Sequence, residues 1–151
     1  MALSLTDEFE GLVAAFAAEG VDYAVVGALA VAVHGAPRAT TDIDLLIRRE
    51  DLDAARAVGR AVGFTLEALP MRFRDGMELR RLTKVSGDEH LTLDLLLVDA
   101  TLEPVWASRV RVETEAGPVV VAGREALIAM KVAAGRAQDI ADVERLRELD
   151  R

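Results

Sequence analysis

Cysteine is absent from the 151-residue sequence. Its absence excludes disulfide bonds, thiolate zinc sites and cysteine nucleophiles, and it fits a reducing compartment such as the cytoplasm. Aromatic residues make up only 4% of the chain, so Leu, Val, Ile and Ala have to fill any core. Because apolar residues reach 52%, such a core is large enough for one compact unit, and we expect residues 1–151 to form a single domain.

Positive charge is also scarce, with 18 Lys and Arg against 26 Asp and Glu and a net charge of −8. This balance argues against broad, sequence-independent binding to nucleic acid, which depends on neutralising phosphates. A local basic groove remains compatible with it, and bound metal could offset part of the acidic excess.

Long apolar runs are missing as well. The longest mainly apolar stretch, 23–33, is interrupted by Gly27 and is too short to span a bilayer. No positively charged start precedes an apolar segment, so we expect neither a secretory signal nor a membrane association.

Hydrophobic periodicity predicts an α/β fold in which helices flank a mixed β-sheet. The predicted helices span 5–18, 28–34, 50–62, 124–134 and 138–149. The predicted strands span 21–26, 41–47, 64–69, 78–85, 91–98, 110–113 and 119–121. Residues 86–89 would join two of these strands in a hairpin with a turn of four or five residues.

The most informative residues are Asp42 and Asp44, at the head of the apolar strand 41–47. Side chains alternate along a strand, so the two carboxylates point the same way, about 6.5 Å apart along the backbone. Their repulsion is roughly 3 kcal/mol at an effective dielectric of 20 and about 5 Å separation. A divalent cation offsets such a cost well, because hard cations bind carboxylate oxygens.

Asp94, in the leucine-rich strand 91–98, is a third buried acid. A lone charge there needs a partner. One interpretation is a salt bridge to Arg80 or Arg81 on the facing strand, and the other is a third carboxylate beside the aspartate pair. Three carboxylates around two Mg²⁺ ions suit in-line displacement at phosphorus, and one of them can accept the proton of an attacking hydroxyl.

A strand that runs into Gly27 and then a helix precedes the aspartate pair. Backbone N–H groups at a helix start can face an anion, and glycine permits close approach of a phosphate. Packing alone also produces this arrangement.

Taken together, these segments resemble the nucleotidyltransferase superfamily. The resemblance lies in Gly27-Ala28, then 13 residues, then Asp42-Ile43-Asp44-Leu45. More narrowly, residues 23–44 are similar to a small stand-alone bacterial branch that includes nucleotidyltransferase toxins of the AbiEii kind. Lys131 and residues 134–143 resemble the branch's Lys…Arg-x-Lys-Asp-x-x-Asp element. The match covers about 21–146.

This resemblance implies a nucleotidyltransferase fold and a site that holds Mg²⁺ or Mn²⁺ and an NTP. Asp42 and Asp44 would hold the metals, while Asp94 would complete the metal site and activate the acceptor hydroxyl. Gly27 and Ala28 would lie against the triphosphate.

The resemblance also implies four supporting positions. Arg38 and Thr40 would line the entrance, Lys131 would reach a phosphate, and Asp139 would have an orienting role. The chain departs from the family at Ala28, where Gly or Ser is usual, and at Gln138, where Lys is common. The first change removes a hydroxyl contact and the second a positive charge.

Two hypotheses follow. The first is a metal-dependent nucleotidyltransferase that transfers NMP to a hydroxyl of an RNA end, a protein or a small molecule, with a toxin role and a cognate antitoxin as further implications. The second is a catalytically weak nucleotide-binding or protein-interaction module that keeps the fold.

Two further side-chain groups have alternative interpretations. His34 is either a packed, hydrogen-bonded histidine or a pocket base. A set of basic residues forms either a strip for a nucleic-acid acceptor or an ordinary solvated face: Arg72, Arg74, Arg80, Arg81 and Lys84.

Overall fold

The computed structural model describes residues 3–37 and 39–149. Within them the α-helices are α1 (Leu5–Ala18), α2 (Gly27–Val33), α3 (Leu52–Ala61), α4 (Glu103–Ala107), α5 (Arg124–Ala134) and α6 (Ala137–Glu148). The strands are β1 (Ala24–Val26), β2 (Asp42–Ile47), β3 (Leu66–Glu67), β4 (Met71–Arg72), β5 (Glu78–Ser86), β6 (Glu89–Leu97), β7 (Val110–Thr114) and β8 (Gly117–Val121). None of the helices in this described part is both long enough and apolar enough to cross a membrane.

The strands form one mixed sheet in the order β3-β5-β6-β2-β1-β8-β7, and β4 also pairs with β5. β2 runs parallel to β6 and β1 runs parallel to β8, whereas the other pairs are antiparallel. The expected α/β fold with a mixed, helix-flanked sheet is confirmed.

The two faces of the central strands carry different side chains. On one face, Leu82 and Leu93 pack closely on Gly59 of α3, where an added Cβ would lie 3.5 Å and 3.0 Å from their methyl groups. Because side chains alternate along a strand, the neighbours of Leu93, including Asp94, belong to the opposite face. Helix α2 packs on β1 and β2, with α5 and α6 beside it. The aspartates of the central strands therefore face away from α3.

The hairpin turn is tighter than predicted. Ser86 and Glu89 pair in the β5–β6 ladder, which leaves a two-residue turn instead of the expected four or five. Gly87 has φ +60°, and within the described residues no side-chain-bearing residue has positive φ. A positive φ at the first central position alone is the pattern of a type II′ turn, which matches the twist of the flanking strands.

The buried side of the last helix combines apolar residues with acids. Val143 and Leu146 belong to the core and Asp139 and Asp142 are almost fully buried, whereas Ile140 is 55% exposed. These two carboxylates face α5 because they form ion pairs with its Lys131. Helix α4 and strand β4 were not predicted, because both are short.

Candidate functional site

Three aspartates lie on one face of two neighbouring strands. Asp44 on β2 is in register with Asp94 on β6, and Asp42 is in register with Thr92. Adjacent strands are about 4.8 Å apart, and residues in register on parallel strands point to the same face. The structure therefore places Asp94 directly beside Asp44, with Asp42 one side-chain repeat away.

The three carboxylates differ in burial. Asp42 is exposed, Asp44 is half-buried and Asp94 is only 5% exposed. The backbone N–H of Asp42 donates to Oγ1 of Thr40 at 3.1 Å. Thr40, predicted at the entrance of the site, thus anchors the first residue of β2 through its hydroxyl.

Like charges and burial perturb Asp44. Its pKa is raised from 3.8 to about 7, chiefly by burial and in addition by the charges of Asp94 and Asp42. Lys131 and Arg81 oppose this rise because their positive charges favour the ionised carboxylate. Near neutral pH, Asp44 is therefore poised between its two protonation states, which is common for groups in functional sites.

Gly27 packs against the same carboxylate. It has φ +70°, and a Cβ added to it would overlap Oδ2 of Asp44 and lie 3.0 Å from Asp44 Cγ. Only glycine satisfies both the left-handed backbone and this close approach. The first turn of α2 thus begins directly beside Asp44, and Ala28, the next residue, is buried.

Asp94 is held by Arg81, its partner in the β5–β6 register. Nε of Arg81 donates to Oδ1 at 2.8 Å, and Nη2 donates to Oδ2 at 3.0 Å. Both interpretations of Asp94 therefore apply, because it forms a part-buried salt bridge and also lies beside the aspartate pair. From the sequence, either Arg80 or Arg81 could pair with Asp94, and the register between β5 and β6 shows that Arg81 is the partner.

Within residues 3–37 and 39–149, no three His, Asp or Glu side chains are grouped so as to hold one metal ion. In the same part of the chain, both oxygens of the third carboxylate accept hydrogen bonds from Arg81. The donor chemistry nevertheless fits a hard divalent cation, because carboxylates are in register on adjacent strands and, after burial, their repulsion contributes to the raised pKa of Asp44.

A buried ion cluster joins α5 to α6. Nζ of Lys131 lies 2.8 Å from Oδ2 of Asp142 and 3.4 Å from Oδ1 of Asp139. Nε of Arg136 donates to Oδ2 of Asp139 at 2.7 Å, and this bond contributes to holding the Asp139 pKa below its usual value. Since the charge of Lys131 also acts on Asp44, the cluster borders the aspartates.

The roles of Asp142 and Arg136 were not anticipated. The resemblance implied an orienting role for Asp139 and assigned no role to Asp142 or Arg136. The usable signal was their spacing: two acids three residues apart share a helix face, and a buried Lys on the preceding helix requires acidic partners.

The remaining candidates have varied positions. Arg38 lies outside the described residues. His34 is packed and hydrogen-bonded, as one interpretation predicted, since Nε2 donates to the Ala122 carbonyl at 2.9 Å.

The basic residues of β5 do not form one strip: Arg81 faces the aspartates, whereas Nζ of Lys84 donates to Glu8 at 2.8 Å on the opposite face.

The sequence matches no protein-family model and no curated protein sequence. Its fold matches solved structures. TM1012 of Thermotoga maritima, a candidate nucleotidyltransferase, aligns with a TM-score of 0.68 at 16% identity over 95% of this chain and 90% of its own. The lincosamide adenylyltransferase LnuA, in its lincomycin-bound form, gives 0.68 at 13% identity over 95% and 96%.

A third match is ANT(2″)-Ia in complex with adenylyl-2″-tobramycin, with a TM-score of 0.63 at 18% identity over 93% of this chain and 87% of that one. At such identities the likeness establishes the fold. The chain has the nucleotidyltransferase fold.

The close packing of Gly27 on Asp44 gives a first prediction. Gly27→Ala should lower the free energy of unfolding by about 2–4 kcal/mol, because left-handed backbone strain of roughly 1–2 kcal/mol adds to the overlap with the carboxylate. In an Asp44→Ala background the same change should be milder, since Oδ2 and Cγ are gone. Urea denaturation of the four proteins measures the coupling. Additive effects would contradict the contact.

The pKa of Asp44 gives a second prediction. Because its folded value, about 7, exceeds the unfolded one, its contribution is fully present below about pH 4 and is lost as pH rises through 7. The metal-free wild type should therefore lose about 2 kcal/mol between pH 5 and 8 relative to Asp44→Asn. Thermal unfolding in chelator across this range measures the difference. A constant difference would refute the shifted pKa.

The buried cluster gives a third prediction. Lys131→Met leaves Asp139 and Asp142 buried without its charge and should lower the free energy of unfolding by about 3 kcal/mol. Adding Asp142→Asn should restore part of the loss. Lys84→Met, which breaks a more exposed pair with Glu8, is the matched control and should be milder. Equal losses in urea denaturation would argue against a special role for the cluster.

Proposed function

We propose that this chain is a nucleotidyltransferase that moves a nucleoside monophosphate from an NTP to a hydroxyl acceptor and releases pyrophosphate. The observation that carries the proposal is the placement of Asp42, Asp44 and Asp94 on one face, with Gly27 against the central carboxylate. Three clustered acids beside a glycine-initiated helix provide oxygen ligands and a place of close approach for a triphosphate.

Asp42 and Asp44 would hold Mg²⁺ or Mn²⁺, with Asp94 as the third ligand. Bound there, divalent cations neutralise the triphosphate and stabilise entering and leaving oxygens. The exposed position of Asp42 keeps the site accessible, while the burial of Asp94 fixes one wall of it.

The chain's own groups supply the rest. The acceptor oxygen forms a bond to the α-phosphorus as the bond to the pyrophosphate oxygen breaks, and Asp94 takes the acceptor proton. Backbone N–H groups of the first turn of α2, at Gly27 and Ala28, lack acceptors within the helix and can face phosphate oxygens.

Lys131 and Asp139 act at the border of the site in this proposal. Lys131 is buried between two carboxylates, so its charge influences Asp44 from a fixed position. Asp139 orients Lys131 and is itself held by Arg136. Arg38 and Thr40 would line the entrance, as the resemblance implies.

For the acceptor we propose a hydroxyl on an RNA end, a protein or a small molecule. LnuA and ANT(2″)-Ia, which share the fold, are described with lincomycin and adenylyl-2″-tobramycin, so they favour a small-molecule hydroxyl. The resemblance at 23–44 favours a cytoplasmic single-domain protein of the AbiEii kind, a toxin with a cognate antitoxin.

The alternative is a weak nucleotide-binding or interaction module that retains the fold. Three features favour it: Ala28 provides no hydroxyl, Gln138 provides no charge, and both oxygens of Asp94 are engaged by Arg81.

A transfer assay separates the two functions. α-Labelled NTPs with Mg²⁺ or Mn²⁺ should label total RNA, lysate protein or a hydroxylated small molecule, and Asp42→Ala should abolish labelling because a cation ligand is lost. Asp53→Ala is the matched control: this aspartate lies on α3, beyond the opposite face of the sheet, with its side chain 96% exposed. It should leave labelling unchanged.

Binding is measured in parallel by thermal unfolding. A saturating NTP with metal should stabilise the protein by about 2.7 kcal/mol at a hundredfold excess over Kd, by mass action. Stabilisation without transfer for all four NTPs would support the module instead. Labelling that survives in Asp42→Ala would refute the assigned site.

A further inference from the structure

Arg81 binds a carboxylate that the proposed site would need for a cation. It lies on β5 opposite Asp94, and its guanidinium forms two parallel hydrogen bonds to the two oxygens of that carboxylate, at 2.8 Å and 3.0 Å. Fork-to-fork pairs of this kind are among the strongest hydrogen-bonded ion pairs in proteins. The positive charge that Asp94 requires is thus supplied from within the chain.

The side chains of Asp94 and Arg81 differ in how freely they can move. The side chain of Asp94 is 7% exposed, whereas that of Arg81 is 44% exposed. The carboxylate is fixed in the sheet, but the guanidinium can turn into solvent on its flexible stem. Arg81 is also close enough to Asp42 and Asp44 to interact with their charges. It therefore reduces the negative potential that would attract a cation to all three acids.

We propose that Arg81 competes with the divalent cation for Asp94, so that filling the site requires the guanidinium to release at least one carboxylate oxygen. This inference rests on the proposed function, because it assumes that Asp94 is a metal ligand. It gives Arg81 a role in the site that follows neither from the pattern of acidic residues nor from the fold.

The opposite role is physically reasonable and gives the opposite result. A group that hydrogen-bonds a metal ligand can orient it, and removing such a group typically weakens metal binding 10–100-fold. Competition is favoured here because Arg81 engages both oxygens.

Arg81→Gln tests the inference directly, with Mn²⁺ alone as the probe. Removing the competitor and its charge should tighten Mn²⁺ binding about tenfold, as measured by calorimetry or by the electron paramagnetic resonance of free Mn²⁺. Arg80→Gln is the matched control. It makes the same charge change at the adjacent residue, which points to the other face of β5 and donates to the Leu79 carbonyl. It should leave Mn²⁺ affinity unchanged.

A second readout needs no metal. In chelator, Arg81→Gln should melt below both wild type and Arg80→Gln, because Asp94 loses its partner, and added Mn²⁺ should recover more of the melting temperature than it does in wild type. Arg81→Lys keeps the charge but loses the fork, so its Mn²⁺ affinity should fall between those of wild type and Arg81→Gln. This variant keeps the test usable if Arg81→Gln does not fold.

The outcomes separate this inference from the proposed function. If wild type binds Mn²⁺, Asp42→Ala abolishes binding and Arg81→Gln weakens it or leaves it unchanged, then Arg81 orients Asp94 or is neutral; competition is refuted and the metal site stands. If neither wild type nor Arg81→Gln binds Mn²⁺, the metal site itself is refuted. Binding in Arg81→Gln alone would support competition most strongly.

Discussion

The in-register pairing of β2 with β6 is the constraint on which the site depends. It fixes Asp44 beside Asp94 at the spacing of adjacent strands, and a buried sheet leaves neither carboxylate room to move away. Burial and this repulsion together raise the pKa of Asp44. The residues around the pair then limit this cost in different ways: Gly27 admits the carboxylate by having no side chain, and Arg81 neutralises its neighbour.

Much of the fold was predictable because its signals are local. The helix 5–18 has a polar cap and a regular apolar stripe, and Ser4 indeed accepts a hydrogen bond from the Asp7 N–H. The apolar strands 41–47 and 91–98 were predicted to within two residues of β2 and β6. The turn at Gly87 was predicted too long because strand ends are set by pairing across the hairpin, and pairing is not visible in one strand read alone.

The site was predictable only in part. Contacts within one strand could be predicted from the sequence, whereas contacts between elements could not. Spacing along one strand placed Asp42 and Asp44 together, and the presence of a lone acid among leucines marked Asp94. Which arginine holds Asp94 depends on the register between β5 and β6, which sequence left open. For α6, the apolar residues Val143 and Leu146 mark part of the buried side. The burial of Asp139 and Asp142 on that side depends on ion pairs with Lys131 of another helix, and such pairing is not visible in the sequence of α6 alone.

Charge around the site gives a reason for the fold to tolerate this arrangement. Asp94, Asp139 and Asp142 form ion pairs with Arg81 or Lys131. Within residues 3–37 and 39–149, no ion pair joins Asp42 or Asp44 to a cationic side chain. Burial, together with the charges of Asp94 and Asp42, raises the pKa of Asp44 to about 7, so partial protonation near neutral pH relieves the repulsion. Asp42 and Asp44 are the residues that a cation-dependent reaction on a triphosphate would use.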